Sequence, residues 1–145
     1  MYRIYGMHWC FNAVTLPEGV GSAVLVRAVA PFGDLELLRA RRPGVRRDAD
    51  LTNGPGKLCA ALGIDERLDG APLDGTPFGA DGHALALRPA APVADADVLV
   101  TPRIGITRAA DWPLRYLLRG DPFVSRTPAS FDRRPYAPGV DDLAP

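Results

Sequence analysis

Residues 2–12 read Tyr-Arg-Ile-Tyr-Gly-Met-His-Trp-Cys-Phe-Asn, and this stretch decides the architecture at the start of the chain. Aromatic and β-branched residues, which favour extended backbone, stand on both sides of a glycine that can supply a turn. The pattern therefore predicts two short strands joined around Gly6-Met7-His8, with the second strand running through Trp9 towards Val14.

A second strand signal lies a few residues further on. A loop rich in Pro and Gly occupies residues 15–21, and Ser22–Val29 then forms a nearly continuous apolar run. A short apolar run bounded by turn residues is consistent with a central strand. Arg27 is the exception within it, and a charge in such a run must reach the edge of the strand or find a partner.

Helix signals occupy the middle of the chain. Asp34 is placed to cap a helix over Leu35–Arg42, and Asn53 to cap a second helix over Gly56–Leu62, which Gly63 would end. Further strands are predicted over His83–Leu87, Val98–Ile106 and Leu114–Leu118. The expected fold class is α+β, with mainly antiparallel strands.

Length and composition set limits on the class of protein. The 145 residues fit one domain, and 47% apolar with 23% charged residues can bury a core, which excludes wholesale disorder. No apolar run approaches the roughly 20 residues of a membrane helix, and no leader is recognisable, so we expect a soluble intracellular protein. Two cysteines and two histidines neither form a disulfide framework nor complete a zinc site convincingly, so we expect buried free thiols and no metal.

The charges are balanced in number but unevenly distributed. Residues 1–57 carry a net charge of +3, residues 58–100 one of −5, and residues 101–145 one of +2. A polyanion would meet the first and last thirds, while charges scattered over a solvated surface explain the pattern equally well. Sixteen of the seventeen basic residues are arginine, which is typical of GC-rich bacterial genomes.

Five segments follow one another in an order and spacing that are specific together. They are Tyr2–Asn12, Ala23–Ala28, Leu51–Ile64, Thr101–Thr107 and Gly120–Ser125. Taken together they resemble the alkyladenine (3-methyladenine, or methylpurine) DNA glycosylase family, which excises alkylated and deaminated purines. The resemblance implies a glycosylase domain over 1–126, a curved or barrel-like sheet with a few flanking helices, and a β-hairpin that inserts into DNA. The prolines and the scarcity of apolar residues from Thr127 onward predict a Pro-rich flexible tail over 127–145.

The activity that the resemblance implies is base flipping followed by hydrolysis of the N-glycosidic bond. Tyr5 matches the tyrosine that fills the gap left in the minor groove, a role that suits an aromatic wedge. Met7 and His8 follow the wedge and would lie along the groove. Without the resemblance, a strand tyrosine that packs on its own sheet is the more common explanation of Tyr5.

Three further residues match binding positions of the family, and two more are candidates for phosphate contacts. Tyr2 matches an aromatic residue that stacks on the flipped base, and Asn12 an asparagine that screens the base edge against the amino group of guanine. A turn or strand-end asparagine is the ordinary alternative. Arg27 matches an arginine beside the nucleotide pocket, where a phosphate or a carboxylate could pair with it. Lys57 and Arg103 are weaker candidates for phosphate contacts, and solvated charges explain them equally well.

The family's general base is a glutamate in a Glu-x-Glu-Ala-Tyr stretch upstream of the hairpin. Glu18, Glu36 and Glu66 are the only glutamates in the sequence, and none lies in a matching context. We therefore expect this glutamate upstream of Met1, in an N-terminal part of the fold that a misassigned start, a truncation or a split gene has removed. Loss of a general base lowers rates by about 10²–10⁴-fold, so we expect the chain alone to be inactive, and poorly stable or oligomeric.

Three functions are compatible with the sequence. The first is a base-excision repair glycosylase that acts on double-stranded DNA with a damaged purine, monomeric when full length and located in the bacterial cytoplasm, at the nucleoid when on DNA. The second is a catalytically dead DNA-binding remnant of this family. The third is a small β-rich interaction domain without a nucleic-acid role. No cofactor is implied, because the hydrolysis needs only a positioned water and electrostatic support.

Overall fold

The structure, a computed structural model, describes residues 2–4 by their backbone and residues 8–125 in full. The chain divides into two compact units, one over residues 1–90 and one that begins at Ala91. The expected boundary between a domain over 1–126 and a tail over 127–145 lies at the end of the described residues and stays a prediction.

Two antiparallel strand pairs open the first unit. β1 (Tyr2–Ile4) pairs with β2 (His8–Cys10), and β3 (Asn12–Val14) pairs with β4 (Ala23–Leu25). The antiparallel pairing of β1 with β2 agrees with the two strands predicted around residues 6–8. The predicted continuation of the second strand through Trp9 towards Val14 is wrong, because the strand is divided at Phe11 into β2 and β3, which pair with different strands. Tyr5 and Met7 stand between these two strands and lie outside the described residues.

The prediction of a central strand over Ser22–Val29 is wrong, because the strand found there is shorter and is not central in a sheet. β4 has three residues, and β3 is its single partner among the strands that the structure describes. Ala23 and Val24 are exposed, so the apolar run did not indicate burial on both faces. Arg27 lies two residues beyond the end of β4 rather than inside a strand, which removes the conflict between its charge and an apolar interior.

Three α-helices follow in the first unit, and the residues at their ends can be compared with the caps predicted from the sequence. α1 covers Leu35–Arg41 and begins as predicted, because the Asp34 carboxylate accepts a hydrogen bond from the Leu37 N–H at 3.0 Å. α2 (Ala49–Thr52) is a single turn that the sequence did not predict. α3 covers Pro55–Leu62, with the predicted stop at Gly63, whose φ of +71° suits glycine.

The predicted cap of α3 is wrong. Gly54, in extended backbone, precedes the helix and contributes no side-chain hydrogen bond, and Pro55 occupies its first turn. The Asn53 side chain instead donates to the Asp50 carboxylate at 2.7 Å and accepts from the Lys57 ammonium at 2.7 Å. Asn53 therefore links the end of α2 to the start of α3.

The core of the first unit lies between the strands and α3. One cluster joins Phe11 and Ala13 to the buried face of α3, where Leu58 and Cys59 contribute, and a smaller cluster joins Leu38 of α1 to Leu51 and Ala61. Cys10 and Cys59 are buried free thiols, as expected. Burial of this apolar face holds α3 against β2, and this packing positions the residues considered below.

The second unit contains one more antiparallel pair, β5 (Val98–Thr101) with β6 (Arg115–Leu118). Both strands are shorter than the predicted runs Val98–Ile106 and Leu114–Leu118. Pro102 and Gly105, the latter at a φ of +77°, interrupt the first of them. The strand predicted over His83–Leu87 is wrong, because this part of the first unit makes only isolated bridges, at His83 and at Ala86.

The described residues thus form an α+β protein with antiparallel strands, as predicted. The curved or barrel-like sheet does not occur among them, because their strands form three separate two-stranded sheets. Each of these strands has three or four residues, which is too short for one continuous curved sheet. None of the helices in this part of the chain is long and apolar enough to cross a membrane.

Candidate nucleic-acid interface

His8 stands at the beginning of β2, next to the segment that carries Tyr5 and Met7. Its side chain is exposed and lies against Gly56 in the first turn of α3. A Cβ atom added to Gly56 would be 3.0 Å from His8 Cβ and 3.2 Å from His8 Cγ. β2 and α3 therefore approach closely at a position that has no side chain. Gly56 was not among the site residues predicted from the sequence.

Lys57 follows Gly56 and brings a positive charge to the same place. Its ammonium is exposed and is held by the Asn53 side-chain oxygen at 2.7 Å. The first backbone N–H groups of a helix carry a partial positive charge, and no side chain caps them in α3. Of the residues predicted to contact DNA, His8 thus packs against the residue that precedes Lys57 in α3.

Asn12 and Tyr2 both lie next to Cys10. In the register of β1 with β2, Tyr2 lies directly opposite Cys10. Asn12 is half-buried at the start of β3, and its side-chain Nδ2 donates to the Cys10 carbonyl at 3.4 Å. The side chain of Tyr2 lies outside the described part of the structure, so the backbone alone defines its place.

Arg27 lies near the same cysteine. Burial raises the pKa of the Cys10 thiol, and the positive charge of Arg27 acts in the opposite direction. The Arg27 side chain is half-buried, and it makes no hydrogen bond or ion pair with the residues that the structure describes. A half-buried guanidinium of this kind is suited to a phosphate or carboxylate from outside.

Arg103 has a different environment, in the second unit. Its Nη2 donates to the carbonyl oxygens of Arg108 and Ala109, at 3.2 Å each. Ala109 has a φ of +47°, a conformation that residues other than glycine seldom adopt, and the Arg103 contacts support that turn. Arg103 is therefore not simply a solvated charge, and part of its donor capacity already serves the loop.

The arginine-rich stretch from α1 to α2 presents less free charge than its composition indicates. Arg39 forms a bidentate pair with Asp48, and Arg47 pairs with Asp50 at 3.0 Å. Arg41 and Arg42 donate to main-chain carbonyls of Ala61 and of Asp50 and Leu51. Much of the positive charge in the first third of the sequence is thus used to join helices.

A small cavity of about 210 Å³ lies beside this surface, between β2 and α3. It is lined by His8, Trp9, Gly56, Cys59, Ala60, Gly63, Ile64 and Asp65. Asp65 is the one carboxylate in this lining, and Arg67 donates to it at 2.9 and 2.7 Å. These hydrogen bonds lower the pKa of Asp65, which makes its carboxylate a weak base.

The remaining carboxylates of interest lie on the surface. Glu18, Glu36 and Glu66 are all exposed, which does not match the enclosed setting of a general base. Among the described residues, no group of three His, Cys, Asp or Glu side chains could hold a metal ion. In the described part of the chain, the three glutamates are thus exposed, and Asp65 is paired with Arg67.

Comparison with known proteins identifies what the chain resembles. The sequence profile of the methylpurine-DNA glycosylase (MPG) family matches residues 1–122. A protein of Rhodopseudomonas palustris (strain HaA2), named "Putative 3-methyladenine DNA glycosylase", is 47% identical over 125 residues, which are 86% of this chain and 57% of the relative. Relatives of the same name occur in Methanoculleus marisnigri (47% identity, 87% of this chain, 63% of the relative) and Nitrosospira multiformis (43%, 87%, 60%). The chain thus spans about three fifths of the length of these curated relatives.

Proposed function

The chain belongs to the methylpurine-DNA glycosylase family, and from this premise we propose that it is the DNA-reading part of a base-excision repair glycosylase. The proposed substrate is double-stranded DNA that carries an alkylated or deaminated purine of the 3-methyladenine or hypoxanthine type. The damaged nucleotide rotates out of the duplex, and water cleaves its N-glycosidic bond.

One structural observation supports this proposal above the others. β1 and β2 pair in antiparallel fashion, and α3, which carries Lys57, packs against β2. An antiparallel strand pair beside a helix N-terminus and a lysine suits a groove lined by phosphates. The wedge residue and a phosphate contact would then come from neighbouring elements.

The proposed roles follow from position. Tyr5 enters the minor groove and fills the gap that the flipped nucleotide leaves, with Met7 and His8 against the adjoining sugars and bases. Tyr2 stacks on the flipped base, a contact that is worth about 1–3 kcal/mol. Asn12, anchored to the Cys10 carbonyl, presents its amide to the base edge and disfavours the amino group of guanine.

The cations have separate roles. Arg27 pairs with a phosphate or a carboxylate beside the nucleotide pocket, which satisfies a half-buried charge. Lys57 contacts a backbone phosphate near His8. Arg103 is the weakest of the proposed contacts, because it would reach a phosphate only through the N–H groups that the Arg108 and Ala109 carbonyls leave free.

We further propose that this chain alone does not excise bases. Its three glutamates are exposed, and Asp65 is held by Arg67. The general base must then come from residues outside this sequence, and its loss lowers the rate by about 10²–10⁴-fold. Binding without excision is the behaviour that this proposal predicts for the purified chain.

Fluorescence anisotropy with a labelled duplex that contains one hypoxanthine tests the DNA-reading role. We expect Tyr5→Ala to weaken binding and to abolish the preference for the hypoxanthine duplex over an undamaged one. Phe32→Ala is the matched control, because Phe32 is a fully exposed aromatic residue of the first unit. Equal affinities of Tyr5→Ala and the parent chain would rule out the wedge.

Selectivity and catalysis need their own measurements. Asn12→Ser is expected to narrow the difference in affinity between duplexes with hypoxanthine and with guanine at the same position, and an unchanged difference would contradict the screening role. Release of free hypoxanthine, followed by chromatography, tests for catalysis. Excision by the pure chain would contradict the absence of a general base, while Tyr5-dependent binding without excision would support it.

A further inference from the structure

Thr52 places a polar side chain in the interior of the first unit. It is the last residue of α2 and is 0% exposed, so water does not reach its hydroxyl group. Its Oγ1 donates a hydrogen bond of 2.6 Å to the main-chain carbonyl of Val29, 23 positions earlier in the sequence. Burial of a hydroxyl group is costly unless it bonds within the protein, and this bond meets that need. It also ties α2 to the segment that follows β4.

Residues 26–29, which we call the post-strand segment, are held by hydrogen bonds at both ends. The Val26 N–H donates to the Phe11 carbonyl at 3.0 Å, and the Val29 carbonyl accepts from the buried hydroxyl group. The segment lies beyond the end of β4 and has no regular secondary structure. Arg27 stands between the two bonded positions, one residue after Val26 and two residues before Val29. Its backbone is therefore held on both sides.

Arg27 depends on this support because no strand pairing orders its backbone. Residues inside a strand pair take their direction from a ladder of main-chain hydrogen bonds, whereas Arg27 lies two positions beyond the end of β4. Its side chain has several rotatable bonds, and holding it in one direction costs conformational entropy. The side chain is half-buried all the same. A backbone that is fixed on both sides of Arg27 restricts the directions that the guanidinium can take.

The α2 helix is a firm point of attachment, although it is only one turn long. Leu51, which precedes Thr52, is fully buried and packs with Leu38 of α1 and Ala61 of α3. The Arg42 guanidinium, at the end of α1, donates to two main-chain carbonyls of α2. These contacts fix the backbone that carries the hydroxyl group. The hydroxyl bond therefore holds the post-strand segment against the packed helices.

We propose that Thr52 is a positioning residue for Arg27. Its hydroxyl group holds the Val29 carbonyl, and the backbone held in this way keeps the Arg27 guanidinium beside the nucleotide pocket, where it pairs with a phosphate or a carboxylate. Because Thr52 is fully buried, it acts through Arg27 and does not itself touch DNA. The importance of this position for recognition rests on the proposed function, whereas the hold on Arg27 rests on the hydrogen bonds of the post-strand segment.

Chemical labelling of arginine tests the hold on Arg27 without DNA. The purified chain is treated briefly with phenylglyoxal, and mass spectrometry gives the labelling rate of each arginine. Thr52→Val nearly preserves the shape of the side chain and removes the donor. Labelling of Arg27 is then expected to accelerate at least about twofold, because release of a half-buried side chain roughly doubles its accessible surface. Arg42, which is also half-buried, reports on α2 itself and should keep its rate.

Two further variants keep the labelling result interpretable. Thr52→Ser restores the donor and should return the Arg27 rate to that of the parent chain. Asp34→Ala controls for lost stability, since it also removes one hydrogen bond from the first unit but leaves the acceptor and donor of the Thr52 bond in place. An unchanged Arg27 rate in Thr52→Val would overturn the proposal. So would an equal acceleration in Thr52→Ser or Asp34→Ala, or an equal acceleration at Arg42, because general loosening would then explain the effect.

Affinity for the hypoxanthine duplex tests whether the position of Arg27 matters for recognition. Arg27→Met is expected to weaken binding about 10-fold or more, the effect of one charge-assisted hydrogen bond. Thr52→Val should weaken binding by a smaller factor in the parent chain and by no further factor in the Arg27→Met chain, because a residue that acts through Arg27 then has nothing left to position. Equal effects of Thr52→Val in both chains would overturn the proposal. Unchanged affinity of Arg27→Met would instead contradict the proposed function of Arg27, whereas a failed labelling experiment contradicts the positioning alone.

Discussion

His8 and Gly56 are in such close contact that a side chain at position 56 would press on the histidine. The nearest atom to a Cβ added at position 56 is His8 Cβ, at 3.0 Å, and that atom is fixed to the backbone of β2. Relief of the contact therefore requires the strand and α3 to move apart. We call this contact the interlock. It couples β2, the strand that follows Tyr5 and Met7, to α3, the helix that carries Lys57.

Gly56→Ala is expected to lower the free energy of unfolding by up to about 2 kcal/mol. Overpacking typically costs about 1–3 kcal/mol, which exceeds the gain of up to about 1 kcal/mol from alanine in a helix. Urea denaturation measures the effect. Gly21→Ala is the control, since nothing lies within 4 Å of the added atom there. Equal stabilities of the two variants would show that the interlock does not constrain the strand.

Asp34→Ala is expected to destabilise the chain by about 0.5–2 kcal/mol, because the Leu37 N–H loses its acceptor. Asp34→Asn keeps a side-chain oxygen in the same place and should retain most of the stability. Thermal unfolding of both variants provides the measurement. A loss of equal size in the two would indicate that the charge of Asp34, and not its capping bond, matters.

Cys59 is expected to resist alkylation in the folded chain. Burial raises its pKa to about 11, so the thiol stays neutral at pH 8, and the neutral form is a poor nucleophile. Mass spectrometry after iodoacetamide treatment should show modification in urea and none in native buffer. Rapid modification of the native chain would mean that α3 separates from β2 readily.

The same raised pKa predicts a loss of stability in alkali. The unfolded thiol ionises near pH 9 and the folded one near 11, so the unfolded state binds fewer protons between these values. Stability from this group is fully present below about pH 9 and decreases as pH rises through 11. Cys59→Ala should show a smaller decrease across that window, and an identical decrease would contradict the assignment.

Lys57→Met is expected to reduce the salt dependence of DNA binding. Each phosphate contact contributes about 0.9 to the slope of log affinity against log salt concentration, so the loss of one contact lowers the slope by that amount. Arg103→Met should change the slope less, because the Arg108 and Ala109 carbonyls hold its guanidinium. Arg88→Met, at an exposed position of the first unit, controls for a general loss of charge. An unchanged slope for Lys57→Met would remove this lysine from the interface.

Local signals in the sequence predicted those features that depend on neighbouring residues. The cap at Asp34, the stop at Gly63 and the antiparallel arrangement around residues 2–12 each depend on backbone preferences within a few positions. The strand over Ser22–Val29 was wrong because apolar composition indicates that a segment can be buried, and not whether another strand is there to cover it. Asn53 was misassigned for a related reason, because its side chain prefers two polar partners over the helix end.

The candidate site likewise combines features that the sequence indicated with features that only the tertiary structure determined. The sequence alone identified the candidate binding residues, and their roles in DNA binding stay predictions. These residues are Tyr2, Tyr5, Met7, His8, Asn12, Arg27, Lys57 and Arg103. Tertiary structure alone decided that His8 meets Gly56, that Arg103 supports the turn at Ala109, and that Asn12 lies opposite Leu25 in the β3–β4 pair. Backbone preferences depend on residues within a few positions, so a short stretch of sequence is enough to indicate them. His8 and Gly56 are 48 positions apart, and only the burial of α3 against β2 brings them into contact.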